Sequence, residues 1–264
     1  FQVPHVAYGF IVTSTVAKGR VTGIDTREAE RATGVIRVFT HLNAGRLGKA
    51  PAPGAEPEWS WPLQSANVFF NGQAIALVVA ETYEQARYAA SLVKATYKTE
   101  AHNTNLESVL DRAIPDGATK KGKPRGNPGA AMRTAAVKIE SEYRIPIEHH
   151  NPIEPHAAIA FWEGEQLTIF DKTQNVYGVQ EHLAEALGVN KENIRVVSPF
   201  VGGAFGASLK PNYYPSLTAM AARELKRPVK LVYTRAQMFT GHGYRPYTVQ
   251  KIALGANKAG KLQA

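Results

Sequence analysis

The hydrophobic pattern of the first hundred residues alternates between strand-like runs and short helical stripes. Residues 6–16 are largely apolar and β-branched, and residues 74–80 form a near-continuous apolar run that predicts a strand buried on both faces. The spacings Asp25-Thr-Arg-Glu28 and Thr82-Tyr-Glu-Gln85 are typical of capping boxes, which mark the starts of helices. These patterns predict two successive strand–helix–strand units.

The second half of the chain has a hairpin pattern followed by a crossover. Two apolar runs flank a turn at Gly164, a helical stripe then ends at Gly188, and a further apolar run covers residues 194–197. A strand–helix–strand crossover brings the carboxyl ends of its two strands to one edge of a sheet. The predicted elements of this half are strands at residues 136–143, 157–162, 166–170, 194–197, 229–233 and 247–254 and helices at residues 179–187 and 214–225.

Together these elements predict a mixed α+β or α/β fold with two domains. From residue 101 to about residue 131 the composition shifts to glycine, proline, asparagine and lysine, which is typical of a linker. We therefore expect one domain over residues 1–105, a linker over residues 106–131 and a second domain over residues 132–264. Prolines interrupt regular structure between residues 48 and 62.

Residues 198–209, called the glycine loop below, follow the second strand of the crossover. The loop places three glycines around Phe205, and glycine permits positive φ or a close approach to the backbone. Alone, this pattern fits a cofactor-contacting turn and an ordinary connection with a buried phenylalanine equally well. The crossover places the loop beside Gln174 at the carboxyl ends of two strands, where ligands gather in α/β sheets. This placement favours the cofactor turn.

A second polar cluster lies in residues 146–156, called the proline segment below. It contains His149, His150, Glu154 and His156, all of which are potential metal-ligating side chains. Their spacing matches no helical zinc motif, and three prolines prevent the helix that would align them. We therefore favour a rigid turn, whose histidine and glutamate side chains hydrogen-bond neighbouring backbone, over a metal site.

Composition and charge exclude several classes of function. The 264 residues include no cysteine, which excludes disulfides, thiolate-held iron–sulfur clusters and a cysteine nucleophile in this chain. The formal net charge of +9 suits a nucleic acid or a phosphate-bearing cofactor, but the absence of RNP-type, zinc-finger and basic-zipper motifs disfavours nucleic acid. No apolar run reaches the ~18 residues of a membrane span. The N-terminus lacks an initiator methionine and a leader peptide, which favours part of a longer or processed chain.

Four segments, taken in order, resemble one known family. They are Phe70-Asn-Gly-Gln-Ala-Ile-Ala-Leu-Val-Val-Ala-Glu81, His150-Asn-Pro-Ile-Glu-Pro155, Thr173-Gln-Asn175 and Gly202-Gly-Ala-Phe-Gly206. In this order and spacing the chain resembles the large, molybdenum-binding subunit of the xanthine dehydrogenase/aldehyde oxidase family of molybdopterin hydroxylases, in particular that of bacterial heterotrimeric aldehyde oxidases. The resemblance implies an α/β hammerhead domain followed by the first part of the molybdenum cofactor-binding domain.

The resemblance also implies roles for residues at the two strand ends. Gln174 corresponds to the glutamine that hydrogen-bonds the apical oxo ligand of molybdenum, and the metal is held by the pterin dithiolene rather than by a protein side chain. The residues that correspond to the family's cofactor-packing loop, with its backbone amides near the metal, are Gly203, Ala204, Phe205 and Gly206. The Phe205 ring is then part of the active-site wall.

Leu209 indicates the class of substrate. Purine-oxidising members carry a substrate-binding glutamate four residues after the loop phenylalanine, and Leu209 lacks the acceptor that a purine needs. The resemblance therefore implies oxidation of aromatic or hydrophobic aldehydes to carboxylic acids, with water as the oxygen source. The family's general base, a glutamate in a Gly-Val-Gly-Glu type motif, has no counterpart here. We expect it outside these 264 residues, so that this chain alone is inactive.

The resemblance implies a molybdenum–molybdopterin cofactor in its cytosine dinucleotide form. The 264 residues contain no cysteine and no recognisable flavin motif, and the resemblance implies that iron–sulfur clusters and FAD lie on companion domains or partner subunits. The rest of the large subunit is a further partner. A soluble protein of the bacterial cytoplasm or periplasm is expected, with the two compartments left open. The alternatives are a non-catalytic paralogue or assembly module with the same fold and, from the charge alone, a nucleic-acid binder.

Overall fold

The computed structural model describes residues 2–48, 60–114 and 125–264. They form two compact units. The larger unit contains Phe1–His102 and His150–Gly243, and the smaller unit contains Asn103–His149 and Tyr244–Ala264. None of the helices within the described ranges combines the length and the apolar character that crossing a bilayer requires.

The elements of the described residues are numbered in chain order. The strands are β1 (Ala7–Thr13), β2 (Gly19–Asp25), β3 (Val35–Thr40), β4 (Asn67–Val68), β5 (Ala74–Ala80), β6 (Lys94–Thr99), β7 (Val137–Ile145), β8 (Ala157–Glu163), β9 (Gln166–Asp171), β10 (Ile194–Val197), β11 (Val229–Val232) and β12 (Thr248–Ala256). The α-helices are α1 (Arg27–Arg31), α2 (Tyr83–Leu92), α3 (Pro128–Thr134), α4 (Val176–Leu187) and α5 (Tyr214–Leu225). The elements β7, β12 and α3 belong to the smaller unit.

A mixed seven-stranded sheet forms the centre of the larger unit. Its strand order is β10-β9-β8-β11-β1-β5-β3, in which β10/β9 and β11/β1 are parallel and the other pairs are antiparallel. Strand β5 is buried along its whole length, as its apolar run predicts. Helix α5 packs on β8 and β11 and buries Tyr214 and Leu217 against the sheet.

The predicted crossover is present as β9–α4–β10. Strands β9 and β10 are parallel neighbours, with Ile169 opposite Val196. Helix α4 packs on β10. Of the apolar stripe that indicated a helix, Leu183 and Ala186 are buried and Leu187 is half-buried. Gly188 ends the helix in the left-handed conformation, with φ of 64°. The segments that follow β9 and β10 therefore leave from the same edge of the sheet.

The strand–helix–strand units of the first half occur in the predicted order, but the strands of each unit lie in different sheets. Strands β3 and β5 belong to the seven-stranded sheet, whereas β2 and β6 belong to an antiparallel three-stranded sheet of order β4-β2-β6. The burial patterns explain the separation, because β5 is covered on both faces while β2 and β6 expose several of their residues. A partly exposed strand suits a sheet with one face in solvent.

One predicted capping box is confirmed and the other is wrong. At the start of α2 the Thr82 hydroxyl accepts from the amide of Gln85 at 3.2 Å, and the Gln85 side chain accepts from the amide of Thr82 at 3.1 Å. Asp25 instead accepts from the amide and the guanidinium of Arg27, and the N-cap of α1 is Thr26, whose side chain makes no cap hydrogen bond. The Asp25 carboxylate is therefore paired with Arg27 and does not make the cap of α1 that its spacing predicted.

Replacing Thr82 with alanine should lower the unfolding free energy of the full-length protein by about 1 kcal/mol, because it leaves the Gln85 amide without its acceptor. The matched control is Thr26→Ala, which removes an N-cap threonine that makes no cap bond and should cost less. Thermal unfolding of both variants measures the difference. Equal losses would contradict the assignment of the two caps.

The smaller unit is built on an antiparallel pair of strands. Strands β7 and β12 run from Ile145 opposite Thr248 to Val137 opposite Ala256. The Glu107 carboxylate accepts hydrogen bonds from Arg144 and Tyr247. Both groups hold the pKa of Glu107 below its usual value, with the Tyr247 hydroxyl as the larger cause.

The predicted linker contains regular structure at both of its ends. A 3₁₀ helix covers Leu106–Arg112, and α3 covers Pro128–Thr134. Most of the proline-rich residues 48–62 lie outside the described residues. The seven-stranded sheet takes strands from both sides of the predicted linker, and the division into domains at residues 105 and 132 stays a prediction.

Candidate functional site

The two strand ends that were predicted to meet lie together beyond β9 and β10. The backbone amide of Gln174 donates to the carbonyl of Ser208 at 3.0 Å, and the Thr173 hydroxyl donates to the same carbonyl at 3.2 Å. At the other end of the glycine loop (residues 198–209), the Ser198 hydroxyl donates to the carbonyl of Thr173 at 3.1 Å. Both ends of the loop are therefore tied to the segment that carries Gln174.

The backbone of the glycine loop combines left-handed residues with unused amide donors. The φ angles of Gly203, Phe205 and Gly206 are 89°, 55° and 100°, and a left-handed backbone is strained for a residue with a bulky side chain such as Phe205. None of the amide N–H groups of residues 203–206 donates to another residue in the described part of the chain. Successive free amides in such a turn form a concave donor site for anionic or oxygen-bearing groups.

The large apolar side chains of the glycine loop are exposed. Phe200, Phe205 and Leu209 expose 77%, 74% and 55% of their surface, and Tyr177 in the first turn of α4 exposes 76%. Gln174 is also exposed, and its side-chain amide makes no hydrogen bond to the described residues. An ordinary connection with a buried phenylalanine is therefore wrong for this loop. Exposed apolar side chains in this number indicate a surface that a ligand or further protein covers.

The proline segment (residues 146–156) contacts the start of the glycine loop through Glu154. The Glu154 carboxylate accepts from the amide of Gly202 at 2.5 Å, and the amide of Glu154 donates to the carbonyl of Gly202 at 3.2 Å. His156 is fully buried and stacks on Tyr214, with ring centroids 5.2 Å apart. In the described ranges no group of three or more histidine or carboxylate side chains has the geometry to hold a metal ion. Glu154 makes the side-chain-to-backbone hydrogen bond expected of a rigid turn. His156 does not, because both of its ring nitrogens are buried without a hydrogen-bond partner among the described residues.

Buried titratable groups lie behind the two strand ends, and only one of them, His156, was singled out from the sequence. Asp171 accepts from the Tyr214 hydroxyl at 2.6 Å, and burial raises the pKa of Asp171 to about 7. The Lys172 ammonium donates to the Ser208 hydroxyl at 3.1 Å, and burial lowers the pKa of Lys172. Burial also lowers the pKa of His156 to about 3, so this ring is neutral at pH 7. For Asp171 and Lys172 the available signal was a charged pair directly after the apolar run of β9.

Two family models match the chain. The molybdopterin cofactor-binding domain matches residues 88–264. The α/β hammerhead domain of aldehyde oxidase and xanthine dehydrogenase matches residues 1–101. The matches occur in the order that the sequence resemblance implied.

Curated relatives align over nearly the whole chain. The aldehyde oxidoreductase molybdenum-binding subunit PaoC of Escherichia coli K12 is 41% identical over 266 residues, which cover 100% of this chain and 35% of that subunit. Aldehyde oxidase 3 of Rattus norvegicus is 28% identical, with 96% of this chain and 19% of that protein covered. The chain therefore spans about a third or less of the length of these relatives.

Solved structures share the fold. The aldehyde oxidoreductase from Desulfovibrio gigas aligns with a TM-score of 0.81 and 26% identity, covering 99% of this chain and 30% of that one. The quinoline 2-oxidoreductase from Pseudomonas putida 86 aligns with a TM-score of 0.83 and 21% identity, covering 99% of this chain and 35% of that one. The predicted mixed fold, with a hammerhead domain before a cofactor-binding region, is confirmed.

Proposed function

The chain belongs to the xanthine dehydrogenase/aldehyde oxidase family of molybdopterin cofactor-binding proteins, and from this premise we propose that it is part of a molybdenum hydroxylase that oxidises aldehydes to carboxylic acids with oxygen from water. The observation that carries the proposal is the glycine loop, whose ends at Ser198 and Ser208 hydrogen-bond the segment of Gln174 and whose amides at residues 203–206 donate to no described residue. The 41% identity to a subunit named as part of an aldehyde oxidoreductase supports the choice of substrate class.

The donor set of the loop suits the cofactor. Backbone amides are neutral donors whose positions are set by the loop backbone, and the exposed Gln174 side chain offers a further neutral donor. Neutral donors stabilise developing negative charge without titrating. We assign the role of holding the cofactor to Gln174 and to the amides of Gly203, Ala204, Phe205 and Gly206. When bound, the molybdenum–molybdopterin group supplies the oxidising centre that takes two electrons from the substrate. No side chain of this chain is assigned as a metal ligand.

The exposed apolar side chains suit an aromatic or hydrophobic aldehyde. Phe205 and Leu209 lie on one loop and expose more than half of their surfaces. A ligand pocket is lined mainly by apolar and aromatic side chains, with a few polar groups that fix orientation. Leu209 offers no hydrogen-bond acceptor to a purine, and a site that cannot pair the polar groups of a substrate rejects that substrate.

The remaining parts of the enzyme are assigned to other segments and subunits. We propose that the general base is a glutamate outside these 264 residues, since no Gly-Val-Gly-Glu type motif occurs among them. We assign the iron–sulfur clusters and FAD that would accept the electrons to partner subunits, since these 264 residues contain no cysteine to ligate a cluster by thiolate. The cytosine dinucleotide form of the cofactor and a bacterial cytoplasmic or periplasmic location complete the proposal.

The full-length subunit assembled with its partners tests this function. It should contain molybdenum by elemental analysis and should oxidise benzaldehyde with a kcat/KM at least ~10-fold above that for xanthine. Absence of molybdenum would favour a non-catalytic paralogue or assembly module. Faster turnover of xanthine would refute the aldehyde assignment.

Leu209→Glu should lower kcat/KM for benzaldehyde by ~10-fold in the same assembly, because the new carboxylate must be desolvated beside an apolar substrate. The matched control is Leu42→Glu at a leucine that is 75% exposed and remote in sequence from the loop. It should leave the kinetics unchanged. Steady-state rates per bound molybdenum measure both variants, and equal effects would contradict a place for Leu209 in the substrate site.

A further inference from the structure

We propose that Glu154 is a positioning residue, which holds the first part of the glycine loop so that the amides of residues 203–206 face the cofactor. This inference rests on the proposed function. Glu154 belongs to the proline segment, in which the sequence contains several potential ligands but no group of three or more is brought together among the described residues. The hydrogen bonds of Glu154 instead connect it to the glycine loop.

Glu154 makes two hydrogen bonds to a single loop residue. Its carboxylate accepts from the amide of Gly202 at 2.5 Å, and its amide donates to the carbonyl of Gly202 at 3.2 Å. A Cβ atom at Gly202 would lie 2.9 Å from the Glu154 Cβ and 3.2 Å from the Glu154 Oε2. Glycine is therefore required at this position for the close approach of the glutamate. A carboxylate that accepts from a backbone amide makes a stronger hydrogen bond than a neutral acceptor does.

The segment that presents Glu154 is itself fixed. The Arg235 guanidinium donates to the carbonyls of Pro152 and Ile153 at 2.7 and 2.8 Å. Pro152 and Pro155 restrict the backbone on either side of Glu154. An anchor improves the position of its partner only if its own position is defined, and these contacts define it.

A second anchor holds the far end of the loop. The Ser208 carbonyl accepts from the Gln174 amide and the Thr173 hydroxyl, and the Ser208 hydroxyl accepts from the Lys172 ammonium. The four unused amides of residues 203–206 lie between this anchor and the one at Gly202. Without Glu154 the loop would keep its far anchor but lose the carboxylate at the near one. The donors would then lose their alignment, while the fold would keep its core.

Glu154→Ala and Glu154→Gln in the full-length subunit, assembled with its partners, test the proposal. Glu154→Ala should lower kcat on benzaldehyde per bound molybdenum by ~10-fold and change KM by less than ~3-fold, since misplaced donors affect the transition state more than substrate binding. Glu154→Gln keeps an oxygen that can accept from Gly202 and should recover most of kcat. Glu165→Ala, at a glutamate that is 75% exposed in the β8–β9 turn, is the matched control and should behave as wild type.

Hydrogen–deuterium exchange supplies a readout that is independent of turnover. In the cofactor-free full-length subunit, Glu154→Ala should raise the exchange rate of the Gly202 amide at least ~10-fold, because its acceptor is gone. The buried amides of β5 should exchange as in wild type. The Mo(V) electron paramagnetic resonance signal of the loaded variant should also change.

The outcomes separate this inference from the proposed function. A Glu154→Ala enzyme with wild-type kcat per molybdenum, an unchanged Mo(V) signal and an unchanged exchange rate at Gly202 overturns the positioning role while the proposed function stands. A loss of activity in Glu154→Ala that only follows a lower molybdenum content or a lower melting temperature also overturns it. A wild-type assembly without molybdenum or aldehyde turnover overturns the proposed function, and the exchange rate then still reports on the anchor.

Discussion

Gly203→Ala is expected to lower kcat on an aromatic aldehyde by ~100-fold in the full-length assembly, the order of magnitude that follows loss of a backbone or side-chain oxyanion donor. Gly203 has a φ of 89°, where an L-residue is strained. Its Cβ would lie 3.5 Å from the Phe205 ring and 3.6 Å from Pro152, an ordinary contact distance. The effect therefore comes from the backbone, which would rotate to a negative φ and carry the neighbouring amides with it.

Gly260→Ala is the matched control for this variant. Gly260 has a φ of 80°, similar to that of Gly203, and a Cβ there would meet nothing within 4 Å. Both substitutions should therefore cost roughly 1–2 kcal/mol in backbone strain. Only Gly203→Ala should also lower kcat per molybdenum and the molybdenum content, measured by steady-state kinetics and elemental analysis. A normal kcat in Gly203→Ala would show that the glycine loop does not hold the cofactor.

The course of the chain up to this loop could be predicted from the sequence because local patterns determine it. The alternation around Gly164, the stripe of α4 and the stop at Gly188 predicted the hairpin and the crossover, and handedness then placed the strand ends together. The identity of the cofactor did not follow from these patterns, and came from the resemblance and the family models.

The remaining features depend on contacts between residues that are distant in sequence. The Glu154–Gly202 pair spans 48 residues, and the Asp171–Tyr214 pair spans 43. The left-handed backbone of Phe205 could not be predicted either, because an aromatic residue rarely adopts it without support from the surrounding structure. At α1 a local rule failed because Arg27 competed for the carboxylate of Asp25. In each case more than one group could make the contact, and spacing along the chain does not determine which group makes it.

Asp171→Asn is expected to stabilise the full-length subunit at pH 8 and to leave its stability nearly unchanged at pH 4. Burial raises the pKa of Asp171 from 3.8 to about 7, with the Tyr214 hydrogen bond and the Lys172 charge opposing this shift. The folded state therefore keeps a proton that the unfolded state loses above pH 4. Asp171 thus contributes stability at low pH that is lost as the pH rises towards 7. An asparagine keeps an acceptor for Tyr214 and has no proton to lose.

The difference in unfolding free energy between Asp171→Asn and wild type should grow by up to about 1.4 kcal/mol per pH unit between pH 4 and 7 and then level off. Denaturant unfolding across this range measures it. Asp25→Asn is the control with the opposite sign, because the side chain of Arg27 holds the pKa of Asp25 below its usual value. The Asp25→Asn variant should therefore be slightly less stable than wild type at neutral pH, and this difference should vanish on acidification. A constant difference for Asp171→Asn from pH 4 to 8 would show that Asp171 is ionised in the folded protein, with Lys172 and the Tyr214 hydroxyl compensating its burial.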